Sequence, residues 1–209
     1  MGLLQPHVRY GRGPRQGLIV FAPPRACDVR WRPLDGDGLE QLSLRPAAAG
    51  GITARGVVIG ARGGKTYGVS YRIDCDAGWT IRRLGLAVTD GRRLALESDG
   101  NGNWRTADGT ALPDLAGCID VDLAGTPFTN TLPIRRLGLT PDHGTVELSM
   151  VYVPFDSFEP VVDGQRYTCL TPARLYRYQA ADRTFTADLP VDEDGLVLDY
   201  PTLFKRLGG

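Results

Sequence analysis

Residues 66–75, TYGVSYRIDC, set the fold class. Tyr67, Val69, Tyr71, Ile73 and Cys75 fall on one side of an extended chain, and Thr66, Gly68, Ser70, Arg72 and Asp74 on the other, because strand side chains alternate with period two. One face is therefore apolar and the other wet, which is a half-buried strand. Upstream, residues 39–44 and 52–59 read as two further strands, and Gly60-Ala61-Arg62-Gly63-Gly64-Lys65 reads as a hairpin turn. Downstream, residues 79–88 and 92–97 flank Asp90-Gly91, a two-residue turn whose central positions must tolerate positive φ. Beyond residue 144, Val146, Leu148, Met150 and Tyr152 alternate with Glu147, Ser149, Val151 and Val153, apolar on both faces toward the end, as in a strand inside a sheet. Residues 165–170, 174–178, 184–189 and 196–200 continue the pattern. The last segment, 201–207, is expected to make a short C-terminal helical turn, with Pro201 at its start and Gly208 as its stop. The fold class is all-β and mainly antiparallel.

Composition agrees. The chain has 209 residues, with 27 glycines and 15 prolines, many for a helical protein and suited to short strands joined by tight turns. Residues 1–26 carry Arg9, Arg12, Arg15 and Arg25 among glycines and prolines and are read as a flexible leader. Residues 27–209 are read as a single domain opening at Arg30-Trp31. Lysine plus arginine equal aspartate plus glutamate, 24 each, so no net field draws the chain to nucleic acid. Cys27, Cys75, Cys118 and Cys169 form no C-x-x-C, and the two histidines, His7 and His143, are too few for a histidine triad or metal cluster. No cofactor and no metal are expected. No apolar run reaches the ~20 residues of a transmembrane helix, and none near the start makes a secretory signal. The expectation is a cytoplasmic protein.

The densest chemistry lies in residues 117–137, GCIDVDLAGTPFTNTLPIRRL. As a strand it points Asp120 and Asp122 to one face and Val121 and Leu123 to the other. Thr126-Pro127 and Leu132-Pro133 bias their first residues toward extended backbone and bracket the polar run Thr129-Asn130-Thr131. Arg135 and Arg136 are then expected on opposite faces of a second strand, so that only one of them meets the carboxylates. The two aspartates could act as a general acid/base pair, since like charges on one face raise the proton affinity of one. An aspartate–arginine pair holding the fold is the preferred reading. Asp99, Asn101 and Asn103 imitate the start of a calcium loop, but the twelfth position is Thr110 where a bidentate glutamate belongs; a turn explains them. Residues 60–66 lack the first glycine of a phosphate loop and lead into a strand rather than a helix. Trp104, Tyr152, Tyr167 and Tyr200 fall on strands or strand edges, where core packing is the default reading and a ligand wall the second.

Residues 117–137, with DGNGNW upstream and QRYTC and DEDGLVLDYPTLFKRL downstream, resemble a bacterial family described as glycolipid-binding, over about residues 31–207. The resemblance implies a curved half-barrel, or spiral β-roll, similar to periplasmic lipoprotein carriers and mycobacterial lipid-binding lipoproteins, with an apolar cavity. It implies a hydrophobic or amphiphilic small molecule as partner. Trp104, Asp120, Asp122, Thr129, Asn130, Arg135, Arg136, Tyr152, Tyr167 and Tyr200 are the ligand-binding candidates, with apolar strand faces for a tail and Asp120, Asp122, Asn130 and one of the two arginines for a polar end. The same roll also resembles an enzyme of violacein biosynthesis. The alternative is therefore a cofactor-independent enzyme on a small hydrophobic metabolite, with Asp120 or Asp122 as its acid/base.

Overall fold

A computed structural model describes residues 21–208. The strands are β1 (Cys27–Pro33), β2 (Leu39–Pro46), β3 (Ile52–Arg62), β4 (Lys65–Cys75), β5 (Ile81–Val88), β6 (Arg93–Ser98), β7 (Trp104–Thr106), β8 (Asp120–Leu123), β9 (Thr145–Val153), β10 (Val161–Thr171), β11 (Leu175–Ala180), β12 (Thr186–Pro190), β13 (Asp199–Tyr200) and β14 (Phe204–Arg206), with one helix, α1 (Thr131–Leu137). Nine strands form an antiparallel sheet in the order β13-β14-β1-β2-β3-β4-β5-β6-β7, curled as a half-barrel. Five form a second sheet, β12-β11-β10-β9-β8, antiparallel except for the parallel β8–β9 pair. His7 and most of the expected leader lie outside the described residues. Its last six residues run against the body: Arg25 pairs with Asp194 (2.9 Å) and Glu193, and Phe21 stacks on Tyr176.

The opening stretch forms the middle of the large sheet. On β4, Val69, Tyr71, Ile73 and Cys75 are buried while Ser70 and Arg72 are exposed, as alternation requires. The β3–β4 connection is Gly63-Gly64, both at positive φ (56° and 77°), the signature of a two-residue type I′ turn. The β5–β6 hairpin also forms, by a longer route than a two-residue turn. Gly91 N–H donates to Val88 O (3.0 Å), Val88 N–H to Arg92 O (2.9 Å), and only Gly91 takes positive φ. That is a three-residue loop closed by a glycine bulge.

Two further expectations are corrected. Residues 201–207 are not helical: a turn over 201–203 is followed by β14, which lies against β1 with Trp31 opposite Arg206 and Pro33 opposite Phe204. Pairing satisfies the open edge of β1, a requirement that a local reading of prolines and terminal charges does not register. The second strand expected around Arg135 and Arg136 is instead a 3-10 turn, Pro127–Asn130, running into α1. Both prolines sit in the first turn of their segments, where the missing N–H costs nothing. Thr126 caps the turn by accepting Phe128 N–H (3.0 Å), and Gly138 ends the helix in the left-handed region.

This segment fills the space between the sheets, and every residue from 125 to 134 is buried. Phe128 stacks on Tyr71 of the large sheet, and Leu132 joins the core of Trp31, Leu42, Ile73 and Leu84. Ile134 joins the core of the second sheet with Met150, Tyr167 and Leu189. The β8 face carrying Val121 and Leu123 packs in the first core with Val151 and Val153. The face carrying Asp120 and Asp122 lies in register with Met150 and Tyr152.

Candidate functional site

Because the proline-bracketed segment is an internal plug, its polar side chains find partners inside the roll. Thr129 Oγ1 donates to Asp122 Oδ1 (2.8 Å), and Gln165 Nε2 donates to Asp122 Oδ2 (2.8 Å). The Tyr167 hydroxyl donates to Asn130 Oδ1 (2.9 Å), with Gln165 Oε1 at 3.3 Å. Four of the expected site residues thus share one network, which Gln165 completes. Burial raises the Asp122 carboxyl, the bonds from Thr129 and Gln165 oppose it, and the nearby Asp163 charge adds to it. Tyr152 stands opposite Asp122 in the β8–β9 register and is half-buried. Tyr200 packs among Tyr178, Phe185 and Phe204 at ring separations of 6.1 to 6.3 Å, and burial, then the Asp122 charge, raises its phenol.

The two arginines part company because successive helical residues point about 100° apart. Arg136 turns to Asp120 and binds it through Nε (3.0 Å to Oδ1) and Nη2 (2.5 Å to Oδ2), with Asp120 only 1% exposed. This is the expected aspartate–arginine bond, made from a helix rather than a strand. Burial raises the Asp120 carboxyl against the pull of the guanidinium. Arg135 turns the other way, over the Trp79 ring (4.5 Å) and the Phe21 ring (4.9 Å), and donates to Ala22 O (2.9 Å). Trp104 takes no part in this network: on edge strand β7 its indole N–H donates to Cys118 O (2.7 Å), tying the sheet edge to the chain entering β8.

A further carboxyl lies where the sequence reading placed none. Glu40 is 2% exposed on β2 and belongs to the buried face with Leu42 and Leu44. Its Oε1 accepts hydrogen bonds from the Tyr71 hydroxyl (2.6 Å) and Thr126 Oγ1 (2.6 Å). Its Oε2 is buried with no hydrogen-bond partner among the described residues. Burial pushes this carboxyl up to about 7, against the two bonds it accepts. Tyr71 reaches it by lying over Gly56, its cross-strand partner; a Cβ there would stand 2.2 Å from the ring.

Glu40 lines a cavity of about 230 Å³ at one end of the roll. Trp31, Pro33, Leu39, Val58, Tyr67 and Phe204 supply apolar walls, and Ala124 and Gly125, between β8 and the plug, close one side. Asp35, Asp37 and Arg62 stand at the exposed mouth with Ile59 and Leu203, two of the large apolar side chains left in water, 53% and 39% exposed. The Glu40 pocket and the Asp122 network meet at the plug, where Thr126 bonds Glu40 and its carbonyl lies 3.3 Å from Thr129 Oγ1. Phe204 belongs to both the pocket wall and the aromatic cluster around Tyr200. One signal could have found Glu40: in LEQLSL, residues 39–44, it occupies the inward phase shared by Leu42 and Leu44.

A crystal structure of a DUF1089 family protein from Pseudomonas aeruginosa is similar over 97% of this chain and 100% of that one, with 35% identity and a TM-score of 0.65. A β-barrel-like protein of the DUF1849 family from Brucella abortus is 10% identical, with a TM-score of 0.49 over 90% of this chain and 97% of that one. No curated protein matches. Residues 28–206 match a family described as "Putative glycolipid-binding", and the chain belongs to that family.

Proposed function

We propose that the protein binds an amphiphile at the Glu40 end of the roll, with an apolar portion held between Trp31, Val58 and Phe204 and the remainder leaving past Ile59 and Leu203. The observation that carries this reading is the pocket itself: apolar walls, one buried carboxyl and an apolar rim. A site that is mostly apolar with few placed polar groups suits such a ligand. The description of the matched family, "Putative glycolipid-binding", supports the same class. At about 230 Å³ the cavity is below the ~300–1,000 Å³ of sites that enclose a whole drug-sized ligand, so it takes one end of the molecule. In this reading Asp122, Thr129, Asn130, Tyr152, Tyr167 and Tyr200 form the wall behind the pocket. Asp120, Arg135 and Arg136 fix the plug, and Trp104 anchors the opposite sheet edge. A cytoplasmic location accords with four free cysteines, and no described helix is long and apolar enough to cross a membrane. Native mass spectrometry of the purified protein is expected to show a co-purifying amphiphile or uptake of added monoacylglycerol; repeated failure of both removes the proposal.

One observation favours the enzyme as a second reading: a buried carboxyl poised near neutrality beside a pocket suits general acid/base work. It predicts that Glu40→Gln abolishes turnover of a hydrophobic metabolite while uptake persists.

A further inference from the structure

The hydrogen-bond inventory around Glu40 specifies more than an apolar pocket. Oε1 already accepts two hydrogen bonds, one from the Tyr71 hydroxyl and one from Thr126 Oγ1. Thr126 has its own acceptor role filled by Phe128 N–H, so its single proton is free for Glu40. Oε2 therefore remains as the one polar atom of the carboxyl without a partner. No cation pairs with Glu40 among the described residues. Of the groups packed around it, Tyr71 and Tyr67 on β4 and Thr126 before the plug are uncharged, and the Trp31 indole N–H on β1 is committed to Val197 O. The charges at the pocket, Asp35 and Asp37 between β1 and β2 and Arg62 at the end of β3, stand at its exposed mouth. Oε2 has no accessible surface of its own, so its ionised form would be an uncompensated charge among buried side chains, while a proton removes the charge and makes it a donor to a group that enters beside it.

We propose that Glu40 is the polar recognition point of the pocket, and that protonated Oε2 donates a hydrogen bond to an uncharged carbonyl oxygen of the ligand, such as that of an ester. The inference rests on the reading of the pocket as an amphiphile site and adds the chemistry of the group it selects. Burial, which keeps this carboxyl neutral up to about pH 7, acts in the same direction. Recognition is then strongest in acid and fades as the proton leaves. With the carboxyl titrating at about 7, its neutral fraction falls roughly 30-fold between pH 6 and pH 8.5, and affinity falls with it.

The test is calorimetric binding of methyl octanoate, which only accepts hydrogen bonds, and octylammonium, which only donates, to the full chain at both pH values. Wild type is expected to take up methyl octanoate at pH 6 and to bind it roughly 30-fold more weakly at pH 8.5. Glu40→Gln, whose amide keeps an acceptor for Tyr71 and Thr126 and places a donor at Oε2, is expected to bind it equally at both. Glu40→Leu is expected to lose it at both. Wild-type uptake of the ester unaffected by pH, a Gln variant as weak as the Leu variant, or preference for octylammonium at pH 8.5 overturns the inference but leaves the amphiphile site standing. No uptake of either probe by wild type overturns both. A carbon-13 carboxyl titration of free wild type needs no variant: Glu40 is expected to be neutral at pH 6, and an ionised Glu40 at pH 5 refutes the proposal.

Discussion

Raising the pH from 4 to 8 should cost the wild-type protein stability that its Glu40→Gln variant keeps. In the fold, burial takes the carboxyl from its ordinary 4.5 up to about 7. At 1.36 kcal/mol for each tenfold change in proton affinity, the difference corresponds to roughly 3 kcal/mol. The sign follows from proton counting. Between about pH 4.5 and 7 the unfolded chain has released this proton and the folded chain holds it, so stability falls as pH rises. The contribution is whole below 4.5, nearly exhausted by 7 and constant above. Water entering the pocket would soften the penalty, so a loss of roughly 1–3 kcal/mol is expected. Glutamine keeps the acceptor for Tyr71 and Thr126 without a titrating proton, and contributions from other groups cancel between the two proteins. Urea denaturation followed by tryptophan fluorescence, at five pH values, gives the difference in stability directly. A difference that stays constant within about 0.5 kcal/mol from pH 4 to 8 would refute the claim that Glu40 is buried and neutral.

Other consequences can be checked with the same assays. Asp120→Ala strips Arg136 of its bidentate partner and should destabilise by roughly 3 kcal/mol, as breaking buried pairs does; a loss under 1 kcal/mol in denaturant would place the pair effectively in solvent. Gly56→Ala would drive a methyl group into the Tyr71 ring, at an expected cost of about 1–3 kcal/mol, and should also lower the Glu40 titration midpoint by letting water in. Leu203→Asp at the pocket mouth should leave stability within about 0.5 kcal/mol while weakening amphiphile uptake at least several-fold in native mass spectrometry. Arg135→Ala should loosen Phe21 and Ala22 while the Arg25 pairs to Asp194 and Glu193 remain, seen as faster amide exchange at Ala22, since it removes the stack on Phe21 and the bond to Ala22.

The strands were legible because their signal is local. Tyr67 to Cys75 alternate, Gly63-Gly64 fits its turn, and the hydrophobic phase of residues 146–152 survives in β9. The plug was not legible, for a definable reason. X-Pro steps suggest extended chain when read one at a time, yet Pro127 and Pro133 sit where a helix does not need their N–H. Only burial of Phe128, Leu132 and Ile134 between two sheets makes the helical choice worthwhile. β14 was missed because its stabilising partner, β1, lies some 170 residues earlier. Alternation did place Asp120 and Asp122 on one face. It could not show that one would meet Arg136 and the other a threonine and a glutamine, since those partners come from three other elements, α1, the 3-10 turn and β10. Glu40 was visible as a charge in the apolar phase of its strand, but Tyr71, Thr126 and the pocket that give that charge meaning come from three separate elements.

The most direct test of the central claim is a crystal structure of the protein grown with a monoacylglycerol brominated on its acyl chain. The account predicts an anomalous bromine peak between Trp31, Val58 and Phe204, with Ile59 and Leu203 flanking the exit. Bromine bound elsewhere on the roll, or an empty pocket at saturating ligand, would contradict it.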